Sequence, residues 1–599
     1  LQELDAQVGR IWSAIQKTQQ AEETAFVMVS DHGTNTDERV YSQGYNLVKL
    51  LGSAEGGGHH VITKRRLLLD YSIKGFYPLV PLITTTTEDT YYLKGQSTSY
   101  PTALLDFDGN ERASIHLRDS DLNVLHILLQ QLQRKSLKEP LRGAVKEAFF
   151  RTLDKRAAKW EYDFIKLKEE MGALHRWIAE QRAIIAGQPK KWTKEDSDAG
   201  RDLDARRVSA HMNSALSDEL KYTEYLRTLS NLLSLRRESF DPSKIKIEDV
   251  IAKHAMGDHN SIYKLQNYVV GIAPGGLQVT GDGSLDLEKS FKRVDYFSLL
   301  HEAAVRNNVQ PGVSNKPIDF TGLRIPRAEI ASSLSSDLQS EADPIWLYGG
   351  AGQQALILSR RDRAGRLSLR YLPVSNLKQD ASGQISFELT QWRAGLPLKI
   401  WEDARLNLPA NSSRAEWLSG WHTELDWLRA LHQTEYSNGL IGVHEQLTRH
   451  PAESLDTDVT GLSADERLLR QYRRRQRELA ESDLLLLANN HWNFDVRGFN
   501  PGGNHGSFFR VSTHATLMMA GGSRTGIPRA SVVSEPYDSL SFMPTMLALT
   551  GQIEDGRKPV RVLWERGFRT FPGRIIAEVL GAPGERNPTP VARGDAGAP

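Results

Sequence analysis

Two short apolar runs, each leading into a cluster of polar residues, constrain this chain more than any other feature. Thr24 to Val29 (TAFVMV) ends in Ser30-Asp31-His32-Gly33, and Ser482 to Ala488 (SDLLLLA) leads into the loop HWNFDVRGFNPGGNHGSFF. Continuous runs of this length, without polar alternation, suit strands buried on both faces, as in a parallel sheet. Upstream of the first run, Leu4, Val8, Ile11, Trp12 and Ile15 recur at helical spacing and give one apolar face. A helix, a buried parallel strand and polar residues at the strand's carboxyl end make the α/β arrangement in which sites are built.

At 599 residues the chain is too long for one compact core, so two to four domains are expected. Lys and Arg total 75 against 74 Asp and Glu, which leaves no global field for nucleic acid or an anionic membrane. There is no cysteine, so any metal must be held by His, Asp or Glu. No apolar run approaches the roughly eighteen residues of a membrane span. The chain opens on Leu1 in what reads as a helix already under way and does not resemble a signal peptide. A soluble protein is expected, with an extracytoplasmic location left open for its full-length form.

The middle of the chain divides by composition. Residues 55–140 mix glycine-rich and β-prone segments: a loop at Glu55 to His60, a strand and turn at 102–109, a helix at 122–132. Residues 141–240 are charged and free of proline on both sides of a polar break near 187–200, which reads as two long antiparallel helices in a hairpin. Residues 241–480 form a mixed α/β region. Within it, 260–340 is Gly/Pro-punctuated, 344–400 reads as an antiparallel β meander, and helices are expected at 414–430 and 463–480. Residues 481–582 bring back the α/β signature, and 583–599 is expected to be a disordered tail. GDGS (281–284) and APGG (273–276) lack the lysine and the strand-to-helix setting of a phosphate-binding loop.

The chemistry concentrates at the two apolar runs. Asp31 and His32 place a carboxylate and an imidazole at the end of a strand, both ligands for zinc-like ions, and Gly33 permits the turn that brings them together. Leu4-Asp5-x-x-Val8-Gly9-Arg10, a linker and a strand ending Val-Ser-Asp-His-Gly together resemble the alkaline phosphatase superfamily, in particular its type I phosphodiesterase/nucleotide pyrophosphatase branch. Gly503-Asn504-His505-Gly506, the apolar segment ending Ala520-Gly521-Gly522, and Ser541-x-x-Pro544-Thr545-x-Leu547 resemble the same superfamily's closing segment. The resemblance covers about residues 1–54 (first part of a catalytic core) and 481–580 (its second part), and makes the stretch between them an insertion on an alkaline-phosphatase-like central sheet flanked by helices.

That resemblance implies two divalent metal ions, typically zinc, with Asp31 and His32 on one and His505 on the other. It implies hydrolysis of phosphate mono- or diesters of a phosphorylated small-molecule or ester substrate. It puts the Thr or Ser nucleophile and the remaining ligands before the opening helix, so the chain is expected to lack them; Ser30, Thr34 and Thr36 are not promoted to that role. His59 and His60 compete with His505 as ligands or substrate contacts, Asn504 adjoins the site, and the Arg510 guanidinium suits a substrate oxyanion. His514, expected on the apolar strand, reads as a core histidine, and His491 and Asp495 lie on the loop leading to His505. A reading from another class is a non-catalytic binding or scaffold protein, with the hairpin and meander as its surfaces.

Overall fold

The computed structural model describes residues 2–36, 42–64, 90–94, 102–187, 193–194, 212, 216, 219–220, 222–251, 260–448, 482–494, 503–554, 558–565, 571 and 573–581. The expected helix at 463–480, the tail at 583–599 and Asp495 lie outside the described residues.

In chain order the first part comprises α1 (Gln2–Ile15), β1 (Ala25–Val29), α2 (Leu47–Gly52), β2 (His60–Lys64), β3 (Thr90–Lys94), β4 (Thr102–Asp108) and β5 (Arg112–Leu117). Then come α3 (Ser120–Gln133) and α4 (Leu141–Ala186). The middle supplies β6 (Ile318–Arg324), β7 (Ile345–Tyr348), β8 (Gln354–Arg361), β9 (Leu367–Gln379), β10 (Ile385–Leu389), β11 (His422–Thr423), α5 (Glu424–Leu431) and α6 (Gly439–Leu447). The last part holds β12 (Leu484–Ala488), α7 (Arg510–Thr513), β13 (Leu517–Gly521) and α8 (Phe542–Leu549).

An eleven-stranded sheet in the order β10-β9-β8-β7-β6-β12-β5-β4-β2-β3, with β11 added on β9, forms the centre of an α/β architecture flanked by helices. The sheet is mixed: β2 and β4 run parallel and the other neighbours antiparallel. β7 to β10 form the expected antiparallel meander. The run SDLLLLA becomes β12, buried throughout, inserted between β6 and β5. The sheet therefore draws strands from 60–117, 318–389 and 484–488 alike. One large core covers a face of it under Trp346, Tyr296 and Phe297, and another covers Phe320, Trp427 and Tyr436.

The first apolar run behaves differently from expectation. β1 is neither parallel nor fully buried; it pairs antiparallel with β13 in a separate two-stranded sheet and is partly exposed. An apolar run encodes burial of some surface but not strand direction, and here β13 returns along it from Leu517 opposite Val29 to Gly521 opposite Ala25. α1 forms as expected and lays Trp12 edge-on to Phe26 at 6.2 Å. The 260–340 region, although poorly periodic, contains β6 and a two-stranded hairpin, Tyr268–Ile272 with Phe291–Val294. Around 414–430 the helix is interrupted: Arg414–Leu418 stops before Gly420, His422 stacks flat on Trp417 at 3.7 Å, and α5 begins after a Thr423 capping box.

α4 is 46 residues long, and residues 222–233 return along it as helix. Leu167, Met171, Leu174 and Ile178 pack against Leu216, Tyr222, Tyr225 and Leu226, while Arg237 reaches back to Glu147 and Asp154 near the start of α4. Later residues meet earlier ones, so the two arms are antiparallel. Among the described residues no helix is long and apolar enough to cross a membrane.

Candidate functional site

The two ends of the chain meet beyond the β1–β13 pair. Ser30 N donates to Thr516 O at 2.9 Å, Gly33 N to Ser512 O at 2.9 Å, and Asn35 and Asn504 exchange backbone hydrogen bonds at 2.7 and 3.0 Å. This zipper carries Asp31-His32 to His505. The two imidazoles stack with centroids 4.0 Å apart and planes 10° from parallel.

Close approach is possible only because of glycine. A Cβ on Gly33 would lie 2.1 Å from Val511 O and 2.8 Å from His514 O; one on Gly503 would lie 1.9 Å from Thr34 Cγ2. Gly33 is therefore required for space against α7, not for the chain reversal expected of it. Gly109, in the β4–β5 turn at φ +62°, combines both demands, since its Cβ would meet His505 O at 2.2 Å. The backbone amides of Asn110 and Glu111 donate to that same carbonyl at 3.0 and 3.2 Å.

The proton on His32 is assigned by its neighbour. Nδ1 lies 2.6 Å from Gly33 O, which can only accept, so Nδ1 is the donor and the neutral ring keeps its lone pair on Nε2. Nε2 stands 3.6 Å from Asp31 Oδ2, beyond hydrogen-bond distance. Two ligands on one tetrahedral zinc are separated by about 3.3 Å, so this spacing and donor set suit a shared divalent ion. A backbone carbonyl holding the far nitrogen is also the usual arrangement behind a metal-bound histidine. Among the described residues no group of three His, Asp or Glu side chains is placed to hold an ion.

Glu111, which sequence reasoning missed, sits behind the pair and is 1% exposed. Its Oε1 accepts from Asn35 Nδ2 at 2.6 Å, and its Oε2 from Ser512 Oγ at 2.9 Å and Ser507 N at 3.3 Å. Burial raises its pKa, and the hydrogen bonds from Ser507, Asn35 and Ser512 oppose that shift. Asn504 is 2% exposed and its Oδ1 accepts from Asn110 Nδ2 at 3.4 Å, so it braces the loop from within. Asn490 accepts from both Asn35 Nδ2 and the amide of His491, which places His491 at the edge of this network in a left-handed conformation (φ +67°).

His59 and His60 are not brought to this cluster. His60 opens β2 opposite Thr102, at the far end of β4 from the Gly109 turn, roughly 20 Å away at strand rise. His59 is buried beside Tyr268 and pairs through Nε2 with the Tyr296 hydroxyl. The glycine loop before them delivers both rings to the core and not to the site.

Arg510 opens α7, its amide donating to Glu435 O at 2.7 Å. It has no carboxylate partner among the described residues, and its buried Nε finds no acceptor. Beside it His514, which caps α7 instead of lying on β13, stacks on His432 at 4.3 Å. Its Nε2 meets both Ser437 Oγ at 2.9 Å and His432 O at 3.0 Å, as expected of a satisfied histidine. The carbonyl obliges Nε2 to carry the proton, so His514 is no base for Ser437. Burial first and Arg510 second hold the His432 pKa low; burial, His432 and Arg510 do the same for His514.

Comparison with models of protein families, with curated proteins and with solved structures finds no match. The class stated by fold and geometry is an α/β protein with a carboxylate–imidazole cluster joining its two ends.

Proposed function

We propose that the protein is a divalent-metal-dependent hydrolase of phosphate mono- or diesters, built on an alkaline-phosphatase-like core of the type I phosphodiesterase/nucleotide pyrophosphatase kind. The observation that carries this is the meeting of Asp31-His32 with His505, two motifs from opposite ends of the chain, at 4.0 Å between rings. Asp31 and His32 would hold one ion and His505 a second; when bound, such ions, most suitably zinc, supply charge neutralisation at the attacking and leaving oxygens of a phosphoryl group. The chain's own groups do the rest. Gly33 O keeps the His32 proton on Nδ1, Asp31 offers its exposed carboxylate, and Arg510 offers an unpaired guanidinium to a substrate oxygen.

The test is metal content and turnover together, on the purified protein. Zinc should co-purify with it and be lost in Asp31→Ala and His505→Ala, while His60→Ala retains it. Bis(p-nitrophenyl) phosphate or p-nitrophenyl phosphate should be cleaved in step with metal content. A parent protein that takes up no zinc and cleaves neither ester overturns the reading. A second reading, a non-catalytic binding protein, is favoured by one observation: α4 exposes Tyr162 at 56%, Ile165 at 57% and Ile184 at 53% along its length. The same measurements decide between them.

A further inference from the structure

Among the described residues, Glu111 is the one carboxylate whose oxygens touch both segments that deliver the histidines. Oε1 takes Asn35, two residues beyond Gly33; Oε2 takes Ser507 and Ser512, which flank the turn after His505. Ser507 and Ser512 also share a hydrogen bond at 2.9 Å, so one side of the carboxylate anchors the whole 507–512 turn. Its backbone acts in the same place, the Glu111 and Asn110 amides gripping His505 O from the β4–β5 turn. We infer that Glu111 is a positioning residue, a buried clamp that fixes the His505 loop to the Asn35 loop and so holds the His505 ring against that of His32.

The inference rests on the reading of His32 and His505 as site residues, but its geometry does not require an ion. A carboxylate is needed because both ends of the clamp are donors. An alanine leaves the Asn35 amide, the Ser507 N–H and the Ser512 hydroxyl facing a void. A glutamine keeps the shape but presents an NH2 to one set of donors, so it loses one end of the clamp. The loss is thus graded, with alanine worse than glutamine. A residue that merely filled space would not distinguish glutamine from glutamate.

The experiment follows the ring resonances of isotope-labelled histidine, assigned through His32→Gln and His505→Gln, alongside zinc titration of the same samples. In the parent, stacking should shift the His32 and His505 ring protons upfield. In Glu111→Gln that shift should shrink and zinc affinity should fall about tenfold; in Glu111→Ala the shift should vanish and affinity fall by about 100-fold. The resonances of His126 and His301, buried far from the 507–512 turn in sequence and held by Arg118 and Thr321, should stay in place in both, which separates a local clamp from general unfolding. Parent-like ring resonances in Glu111→Gln overturn the clamp, and if zinc binding is intact the metal reading stands. Ring shifts lost in Glu111→Gln while the parent binds no zinc uphold the clamp and sink the metal reading.

Discussion

At the scale of single residues, the site depends on absent side chains as much as on present ones. Gly33 packs against Val511 O and His514 O at distances no Cβ tolerates, and both obstacles are backbone. Gly33→Ala must therefore push α7 away from the Asp31-His32 turn, at a cost of about 1–3 kcal/mol; thermal unfolding should show the loss and zinc titration a matching drop in affinity. Arg510 gives a prediction of the opposite kind. Replacing its unpaired guanidinium by Met removes charge without orphaning a partner, so stability should hold. Inhibition by inorganic phosphate should weaken roughly tenfold or more, the worth of a hydrogen bond between charged groups. Unchanged inhibition would remove Arg510 from the substrate's surroundings. Asp31 and His32 were legible as candidates because their motif ends an apolar run, and His505 because GNHG stands in the glycine-rich loop that follows the second run. Glu111 was not, because nothing in DFDGNER distinguishes a buried acid from one on a turn; its role is created by Asn35, Ser507 and Ser512, which are distant in sequence.

Among elements, the long hairpin is tied by charge to the start of α3. Arg156 of α4 reaches Asp119, the cap of α3, at 2.6 Å and Asp121 at 3.4 Å, with Lys264 also on Asp121 at 2.6 Å. Asp119 is nearly fully buried, so removing Arg156 takes the cation from a carboxylate that keeps its N-cap bond from the Asp121 amide, and the dipole of α3 offsets the cost only in part. Arg156→Met should destabilise by about 3 kcal/mol, and amide exchange should rise first across the start of α4, where Phe149, Phe150 and Trp160 pack on α3. Exchange rising evenly along the hairpin would show that the arm is not anchored there. α1, α3, the two hairpin arms and the meander were legible because each carries its own periodicity or turn residues, whereas the break at Gly420 inside the expected 414–430 helix was not. The direction of β1 was not, since that depends on β13 arriving from the other end of the chain. Nor did the apolar run of β12 disclose its neighbours, which come from β5 and β6.

For the molecule as a whole, burial of neutral histidines in separate cores contributes to the response to acid. His126, next to the Arg118 guanidinium, and His301, hydrogen-bonded through Nε2 to Thr321 at 2.8 Å, are both pushed down to about 3 by burial, with a nearby cation adding to it. The unfolded value for histidine is about 6.5. Between these values the unfolded chain binds protons that the folded one refuses, so stability is complete above about pH 6.5 and is lost as pH falls towards 3. Each group contributes a slope approaching about 1.4 kcal/mol per pH unit within that window. Glu424 works against them. Burial and the nearby Glu445 and Asp538 carboxylates raise it to about 6, so the folded state gains protons as pH falls from 6 towards its ordinary value. Glu424 is half-buried and offsets only part of one histidine, while Glu111, Asp319 and Glu445, raised by burial, act in the same direction. Urea midpoints should therefore drop steadily from pH 6.5 to pH 5. His301→Gln, which keeps a partner for Thr321 but cannot titrate, should lower stability at pH 7 yet reduce the dependence on pH, the rest of which stays with His126, His432 and His514. A parent midpoint that stays flat across that interval would overturn the assignment of the two rings as neutral in the fold.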